Sequence, residues 1–300
     1  MSLDITTQAN LHLEKLADLA IGQLYFQLGF MRETTMWNTN SVIENGGTWS
    51  VPIVGNLTSN TRAPGAGVTD QTPTPTKNSV TITEREVSYI VDPTHEDSEA
   101  GQRFAAQQLQ NAVNALAIDI TTAFLDTIAT TAGLTAFGTL GVAVNKAVYD
   151  GARAELTNDS IPVDPRWAII SPESMTDTVN IAEFSRMDAN GIPGVFSQGM
   201  VRQAAGFTII ESPHVRSPLA GQHQGFAGNP KGIYSVFPRQ GLFNDGGNTK
   251  IEAEIDGMRI AILREYVTGQ NGAYRMTVSS RHGFRVGDPT RGDIVVINGQ

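Results

Sequence analysis

The longest regular pattern of apolar residues in the chain runs through residues 92–133. Its apolar side chains recur at spacings of three and four, which form one stripe of an α-helix. Asp92 and Pro93 are typical of a helix N-terminus, and Gly133 is typical of the position just after a helix ends. A helix over the stretch after Gly101 would be about 43 Å long at 1.5 Å per residue, so we expect it to be the spine of the fold. Gly101 leaves open whether the first turn is a separate short helix. The stripe consists of Leu109, Val113, Leu116, Ile120, Phe124 and Ile128.

A second amphipathic helix is predicted near the N-terminus, over residues 11–30. An apolar face of this kind needs a surface to dock on, and the local sequence does not identify that surface. The face consists of Leu13, Leu16, Ala20, Leu24 and Leu28.

Alternating apolar and polar residues then predict a two-stranded ribbon around a long polar segment. The first strand centres on Val51, and the second runs from Val80 to Val91 with a slip in its alternation that indicates a bulge or bend. Residues 56–78 between them are rich in Thr, Gly, Pro and Asn, and a connection of that length is usually functional or disordered. Two interpretations stay open: a floppy surface loop, or an arm that becomes ordered against a neighbouring subunit.

Strands and helices alternate in the second half of the chain. Asn145 is placed to cap a helix, residues 167–170 predict a short buried strand, and Ser171-Pro172 predicts the start of another helix. A helical turn is predicted at residues 200–205, followed by a strand at 207–210. This part therefore looks like an α/β unit.

The C-terminal part is rich in β-strands. Residues 258–263 and 273–278 flank Gln270-Asn271-Gly272, which is a strong hairpin signal. Residues 294–297 predict a final short strand. We expect Val113, Leu116 and Ile120 of the long helix to pack against this C-terminal β-layer.

Composition excludes several classes of protein. The 300 residues contain 40% hydrophobic and 17% charged residues, no cysteine, and a formal net charge of -9. Disulfides and thiolate metal sites are excluded, and an acidic chain is unlike a general nucleic-acid binder. Neither a signal peptide nor a run of about 18 apolar residues is present, so we expect no membrane partner.

The residues that usually carry catalysis do not form a recognisable group. His95-Glu96 begins like a zinc-helix signature, but Glu99 stands where the second histidine is needed. Nucleophile-elbow and phosphate-loop motifs are also absent. We therefore expect no catalytic residue, no metal, no cofactor and no enzymatic activity.

In the C-terminal part, arginines alternate with carboxylates in a pattern that suggests ion pairs between subunits.

Three motifs occur together in an order that is informative. Thr48 to Pro52 opens the predicted ribbon, Arg166 to Pro172 covers the buried strand, and Gly191-Ile192-Pro193 precedes Arg202 to Phe207. The sequence resembles the major capsid proteins of tailed bacteriophages, which have the Hong Kong 97-type (HK97-like) fold, and its motifs are most similar to coat proteins of short-tailed phages.

The resemblance implies an α+β fold with five parts. It implies an N-terminal arm, an E-loop β-ribbon, a peripheral domain with the long spine helix, an axial α/β domain, and peripheral β-strands. Their expected bounds are 1–45, 46–88, 89–140, 141–245 and 246–300.

The resemblance also implies a function and partners. It implies pentamers and hexamers that build an icosahedral shell around double-stranded DNA, in a virion assembled in the cytoplasm of a bacterial host. The expected partners are a portal protein, a decoration protein, non-specifically contacted DNA and a scaffolding protein. A separate scaffolding protein is expected because the chain begins directly with the arm. Arg62 and Lys77 are the candidate intersubunit contacts of the E-loop.

Two alternatives stay open. An encapsulin-type nanocompartment shares the fold and differs in what it encloses. A two-domain enzyme is disfavoured because no nucleophile, base and orienting residue stand together in the sequence.

Overall fold

The fold was analysed from a computed structural model of the chain. It describes residues 5–38, 48–53, 61, 64, 70, 76–91, 99–185, 203–240, 243–245, 248–267, 273–287 and 292–299. The helices are α1 (Ile5–Leu28), α2 (Phe30–Thr34), α3 (Glu99–Ala129), α4 (Lys146–Asn158), α5 (Pro172–Asn180) and α6 (Ala182–Ser185).

The predicted spine is confirmed as α3, a single helix of 31 residues that continues through Gly101. Its C-terminus comes four residues before Gly133, which has the left-handed φ of +89° expected after a helix. Thr130 and Thr131 follow the last helical residue, and their hydroxyls each donate to a carbonyl four residues back, at 2.8 Å. Residues 92–98, which include the predicted cap and His95, lie outside the described residues.

The first sheet contains seven strands, and α3 packs on it. Its order is β1-β11-β15-β14-β13-β12, with β4 also paired to the long strand β15. The expected packing of Val113, Leu116 and Ile120 is confirmed, because they share one apolar cluster with Ile262, Val278 and Phe284 of the sheet. The strands are β1 (Met36–Asn38), β4 (Thr83–Val91), β11 (Ile233–Val236), β12 (Phe243–Asp245), β13 (Asn248–Ile255), β14 (Met258–Tyr266) and β15 (Tyr274–Val286).

The two faces of the second sheet pack against two different hydrophobic cores. Its order is β5-β16-β10-β6-β8-β7, with β9 paired to β10. Trp167, Ile169 and Phe226 on one face belong to the cluster of α3, while Ala168 and Ile170 on the other join the cluster of α4 and α5. The strands are β5 (Ala136–Phe137), β6 (Trp167–Ile170), β7 (Gln203–Ala204), β8 (Phe207–Glu211), β9 (Arg216–Leu219), β10 (Gln222–Gly228) and β16 (Ile294–Gly299). The spine helix therefore connects both sheets.

The strand memberships differ from the expected domains in two places. The final strand β16, expected in the peripheral layer, pairs with β10 and β5 of the second sheet. Conversely β11, which lies within the expected axial domain, pairs with β1 and β15 of the first sheet. Local patterning identifies a strand but not its partner, because partners are far apart in the chain.

The N-terminal helix α1 finds its docking surface within its own chain. Ala20, Leu24 and Leu28 are buried in the same cluster as α3. Beyond α1, the buried Thr35 hydroxyl lies 2.7 Å from the hydroxyl of Ser235, and β1 pairs in parallel with β11. The docking surface that the local sequence did not identify therefore lies within the same chain.

The helical turn predicted at residues 200–205 is also corrected. Gln203 and Ala204 form β7, which pairs antiparallel with Thr208 and Phe207. The turn between the strands has Ala205 at φ 49° and Gly206 at φ 87°, as a two-residue hairpin turn requires.

Part of α3 meets the length and composition of a membrane-crossing helix. Residues Ala106–Ala129 have a mean hydropathy of 1.4, and half of that segment is buried inside the structure. Its packing against both sheets is that of a core helix.

A buried histidine makes the first core sensitive to acid. His282 lies between Phe237 and Phe284, at ring-centroid distances of 6.3 and 5.5 Å, and its side chain is almost entirely closed to solvent. Burial, and to a lesser extent the Arg85 guanidinium, lowers the pKa of His282 to about 4 from its usual 6.5.

We therefore expect the stability of the protein to fall as pH decreases from about 6.5 to about 4, because the unfolded chain binds a proton there that folded His282 does not. His282→Phe should remove part of this dependence. The measurement is urea unfolding of both proteins across that pH range. Identical pH profiles would contradict the assignment.

Candidate assembly surfaces

The predicted ribbon is formed by β2 (Thr48–Ile53) and β3 (Thr76–Thr81), paired antiparallel with Ile53 opposite Thr76. The slip predicted between Ile82 and Val87 is confirmed as a break at Ile82, after which the chain continues as β4 in the first sheet. One continuous segment thus passes from the core sheet into the ribbon. Most of residues 54–75 lie outside the described residues.

The base of the ribbon is fastened to the first sheet. The Trp49 ring meets Tyr234 edge-to-face at a centroid distance of 6.4 Å, and Val80 and Val236 are buried beside them. Arg285 donates from Nη1 to the carbonyl of Ser79 at 2.7 Å. These contacts set the direction in which the ribbon leaves the core.

The candidate contact residues fall at different places relative to this base. Lys77 lies in β3 opposite Pro52, two residues before the anchored Ser79. Arg62 lies outside the described residues. Their contact with a neighbouring subunit therefore stays a prediction.

The anchoring residue Tyr234 was missed by sequence analysis. Its strand β11 has only four residues, and its partner Trp49 is remote in the chain. A signal was available, because Ile233-Tyr234-Ser235-Val236 is a β-favouring run directly after a Pro-Lys-Gly turn.

The C-terminal arginines pair within the chain, which corrects the expectation of intersubunit ion pairs. Arg281 lies 2.8 Å from Glu84, and buried Arg259 lies 2.7 Å from Glu254. Arg264 lies over the ring of Tyr274, 4.1 Å from its centroid. Most of these arginines therefore hold the first sheet together, as cross-strand neighbours do.

Arg166 organises one end of the α/β unit. This buried side chain donates to the carbonyls of Pro162 at 2.8 Å, Ile161 at 2.6 Å and Arg153 at 3.3 Å. Burial, followed by the charge of Arg153, lowers its pKa. The guanidinium therefore satisfies carbonyls of the last turns of α4 and of the connection that follows it, at the helix end where a cation is favourable.

We expect Arg166→Met to lower the free energy of unfolding by about 1–3 kcal/mol, because those carbonyls would stay buried without donors. Arg153→Met, an exposed change on the adjacent helix α4, is the control and should be nearly neutral. Chemical denaturation measures both. Equal stability of the two variants would show that the hydrogen bonds from Arg166 to these carbonyls do not stabilise the fold.

One end of the second sheet carries exposed apolar side chains. Leu219 in the β9–β10 hairpin is 65% exposed and Val142 is 52% exposed. Gly141, which precedes Val142 in the chain, lies beside the Gln222 side chain at the start of β10. On the same end, His223 Nε2 lies 3.3 Å from a Glu173 carboxylate oxygen.

Among the described residues, no group of three or more histidines or carboxylates could hold a metal ion. The described surfaces are an anchored ribbon, an α/β unit with an exposed apolar end, and a spine helix joining two sheets.

The arrangement of these parts is that of the HK97-like capsid fold, as structural comparison shows. The chain is similar to the capsid protein of cyanophage P-SCSP1u (TM-score 0.60, 18% identity, 89% of this chain and 86% of that one). It is similar to the mature capsid protein of bacteriophage PhiM1 (TM-score 0.59, 15% identity, covering 89% of this chain and 86% of that one). It is also similar to a virus-like particle protein from Pyrococcus furiosus (TM-score 0.57, 14% identity, covering 95% of this chain and 99% of that one).

A family model described as phage capsid protein matches residues 98–292. The chain therefore belongs to this family of phage capsid proteins. A search of curated protein sequences gives no significant match. The α+β capsid fold and the resemblance to tailed-phage capsid proteins are thus confirmed. The protein is a capsid shell protein.

Proposed function

We propose that this chain is a major capsid protein that self-assembles, as pentamers and hexamers, into an icosahedral shell enclosing double-stranded viral DNA. The observation that carries the proposal is the family match over residues 98–292. It runs from the start of α3 to just before β16, on a fold shared with phage capsids.

The ribbon supports the assembly step. A two-stranded ribbon is marginal in isolation, and here only its base is packed on the core, through Trp49 and Val80. An anchored base with a long polar connection suits an element whose remaining contacts lie on another subunit. Arg62 and Lys77 are the residues proposed to make them.

The other proposed partners are those of phage assembly: a scaffolding protein, a portal protein, a decoration protein, and packaged DNA contacted without sequence specificity. The shell would assemble in the bacterial host cytoplasm. The proposed division of the chain keeps an arm, an E-loop, an axial domain and two peripheral segments.

An encapsulin-type nanocompartment is the second candidate, and the likeness to the virus-like particle protein favours it. The phage capsid family match weighs more because it rests on sequence. Neighbouring genes separate the two: portal, terminase and scaffold genes for a phage, or a cargo enzyme gene for a nanocompartment.

Sedimentation and negative-stain electron microscopy test the proposal. Purified protein, with and without a co-expressed scaffolding protein, should give pentamers, hexamers or shells. Permanent interfaces of this kind bury on the order of 2,000–5,000 Å². A folded protein that stays monomeric in both preparations would contradict it.

A further inference from the structure

The ribbon leaves the first sheet at one short joint beside β15. Thr83, the first residue of β4, pairs with His282, and the strand breaks at the preceding residue, between β3 of the ribbon and β4 of the sheet. The direction of the ribbon therefore depends on a few residue pairs at this point. We call residues 79–83 and 282–285 the ribbon joint.

The two sides of the ribbon joint hold different parts of the molecule. Gly283 lies against the ribbon, because a Cβ there would be 2.7 Å from the Thr81 carbonyl oxygen and 2.8 Å from the Val80 side chain. The neighbouring His282 ring lies in the aromatic part of the core and is buried. One stretch of β15 therefore fastens the ribbon on one side and closes the core on the other.

The first residues of β4 are weakly held. Thr83, Glu84 and Arg85 are exposed, whereas the apolar residues that bind β4 to the core come later in the strand, at Val87 and Val91. A strand end with few buried apolar contacts opens at a lower free energy than the core does. Opening of the ribbon joint can therefore bring water to the His282 ring while α3 and the two sheets stay folded.

The surroundings of the His282 ring favour its neutral form. Burial lowers the pKa of His282 most, the Arg85 guanidinium lowers it further, and a backbone contact at Ser280 and the Asp119 carboxylate raise it less. Residues 78–82 and 233–237 carry no charged side chain. Other titratable side chains of the neighbouring strands have partners of their own: Arg259 has Glu254, Arg281 has Glu84, Arg285 has the Ser79 carbonyl, and Tyr234 has the Trp49 ring.

We propose that the ribbon joint is an acid-sensitive switch, in which protonation of His282 releases the base of the ribbon while the rest of the core stays folded. An imidazolium between aromatic rings and away from water is unfavourable, so the proton stabilises the open joint. This inference rests on the proposed function only for its consequence, which is that acid would prevent shell formation before it unfolds the chain.

The histidine itself limits the size of the effect. The open joint binds a proton that the closed joint does not, so the open population rises as pH falls from about 6.5 to about 4. Between these two pKa values of His282 the gain is at most about 300-fold, and at about pH 4.5 it is about 80-fold.

Thiol labelling measures the open population, because the chain contains no cysteine. In the variant Val80→Cys the single thiol occupies a fully buried site at the base of the ribbon, and in Val113→Cys, the matched control, it occupies an equally buried site of α3. Each folded variant reacts with a pyridyl disulfide reagent, and its rate is divided by that of the same variant unfolded in urea at the same pH. The ratio is the fraction of molecules in which the thiol is accessible.

We expect the accessibility of the Val80→Cys thiol to rise about 80-fold between about pH 7.5 and about pH 4.5. The Val113→Cys thiol should be at least about tenfold less accessible at every pH, because only global unfolding exposes it. His282→Phe, added to Val80→Cys, should remove the rise, because an aromatic ring then fills the site without binding a proton. Glu84 and Asp119 are unchanged in that variant, so an acid effect of these carboxylates would persist.

A further variant tests the geometry without acid. Gly283→Ala, added to Val80→Cys, places a methyl group against the Thr81 carbonyl oxygen. Such overpacking should raise the accessibility of the thiol at neutral pH by about tenfold or more. Gly22→Ala, where a Cβ would meet nothing within 4 Å, is the glycine control and should leave the accessibility unchanged.

Three results would overturn the proposal: a pH response that is absent or survives His282→Phe, equal accessibility of the Val80→Cys and Val113→Cys thiols, and unchanged accessibility in Gly283→Ala. Shell yield is scored separately by electron microscopy across the same pH range. A chain whose joint opens as expected but which forms no shells at any pH would contradict the proposed function and leave the assignment of the ribbon joint intact.

Discussion

Replacing Phe124 by alanine is expected to lower the free energy of unfolding by about 3–5 kcal/mol. The Phe124 side chain is fully buried near the C-terminal end of the long helix. Its ring meets Phe30 at 6.2 Å and Phe284 at 5.4 Å, both edge-to-face. It therefore joins three parts that are remote in sequence: the N-terminal segment, the spine helix and the first sheet.

The matched control for this variant is Thr122→Ala, an exposed position on the same helix, which should change stability by less than about 0.5 kcal/mol. Urea unfolding of both variants gives the comparison. We expect the Phe124 variant to be insoluble or temperature-sensitive during expression, because the cavity cannot be filled by a well-packed core. Wild-type stability of that variant would mean that the three parts do not pack as described.

The second expected result separates folding from assembly. Replacing residues 54–75 by Asn-Gly should not lower stability and should abolish shell formation. The structure defines the junction: Ile53 pairs with Thr76, so a two-residue turn closes the ribbon without a change of register. Shortening the connection reduces the entropy cost of closing it by about 0.6 kcal/mol per halving of length, so the expected change in stability is a gain of at most about 2 kcal/mol.

Thermal melting and shell yield should be measured on the same preparations. The single variant Arg62→Ala keeps the connection at full length and tests whether one guanidinium carries part of the intersubunit contact. A ribbon variant that still forms normal shells would show that residues 54–75 are dispensable for assembly. A variant that melts well below wild type would show that they contribute to the monomer.

Both predictions separate the residues that fold the chain from the residues that contact other chains. The core that joins α3 to the two sheets decides whether the chain folds. The ribbon and the exposed end of the second sheet contribute little to that core. They are the surfaces on which contacts with other chains are proposed, so substitutions there should affect assembly with little effect on stability.

Local sequence patterns predicted those elements whose signals lie within a few residues. The helix after Asn145 begins where its side chain accepts the amide of Val148 at 3.3 Å, and the helix after Ser171 begins with the expected cap. Caps, helical stripes and alternation act between neighbours in the chain, so they can be found without knowledge of the fold. The order of three motifs further indicated the capsid family.

Contacts between residues that are remote in the chain could be identified only from the tertiary structure. The last strand has the same short apolar pattern in either sheet, and its place beside β10 follows from packing over the whole domain. The same holds for the arginines, because alternating charges on one strand do not show whether the opposite charge lies across the sheet or on another subunit. Local patterns were enough to predict most helices and strands and the family, because those signals lie between near neighbours in the chain. Docking of α1 on the core and pairing of Arg281 with Glu84 depended on long-range contacts, because each joins residues that only folding brings together.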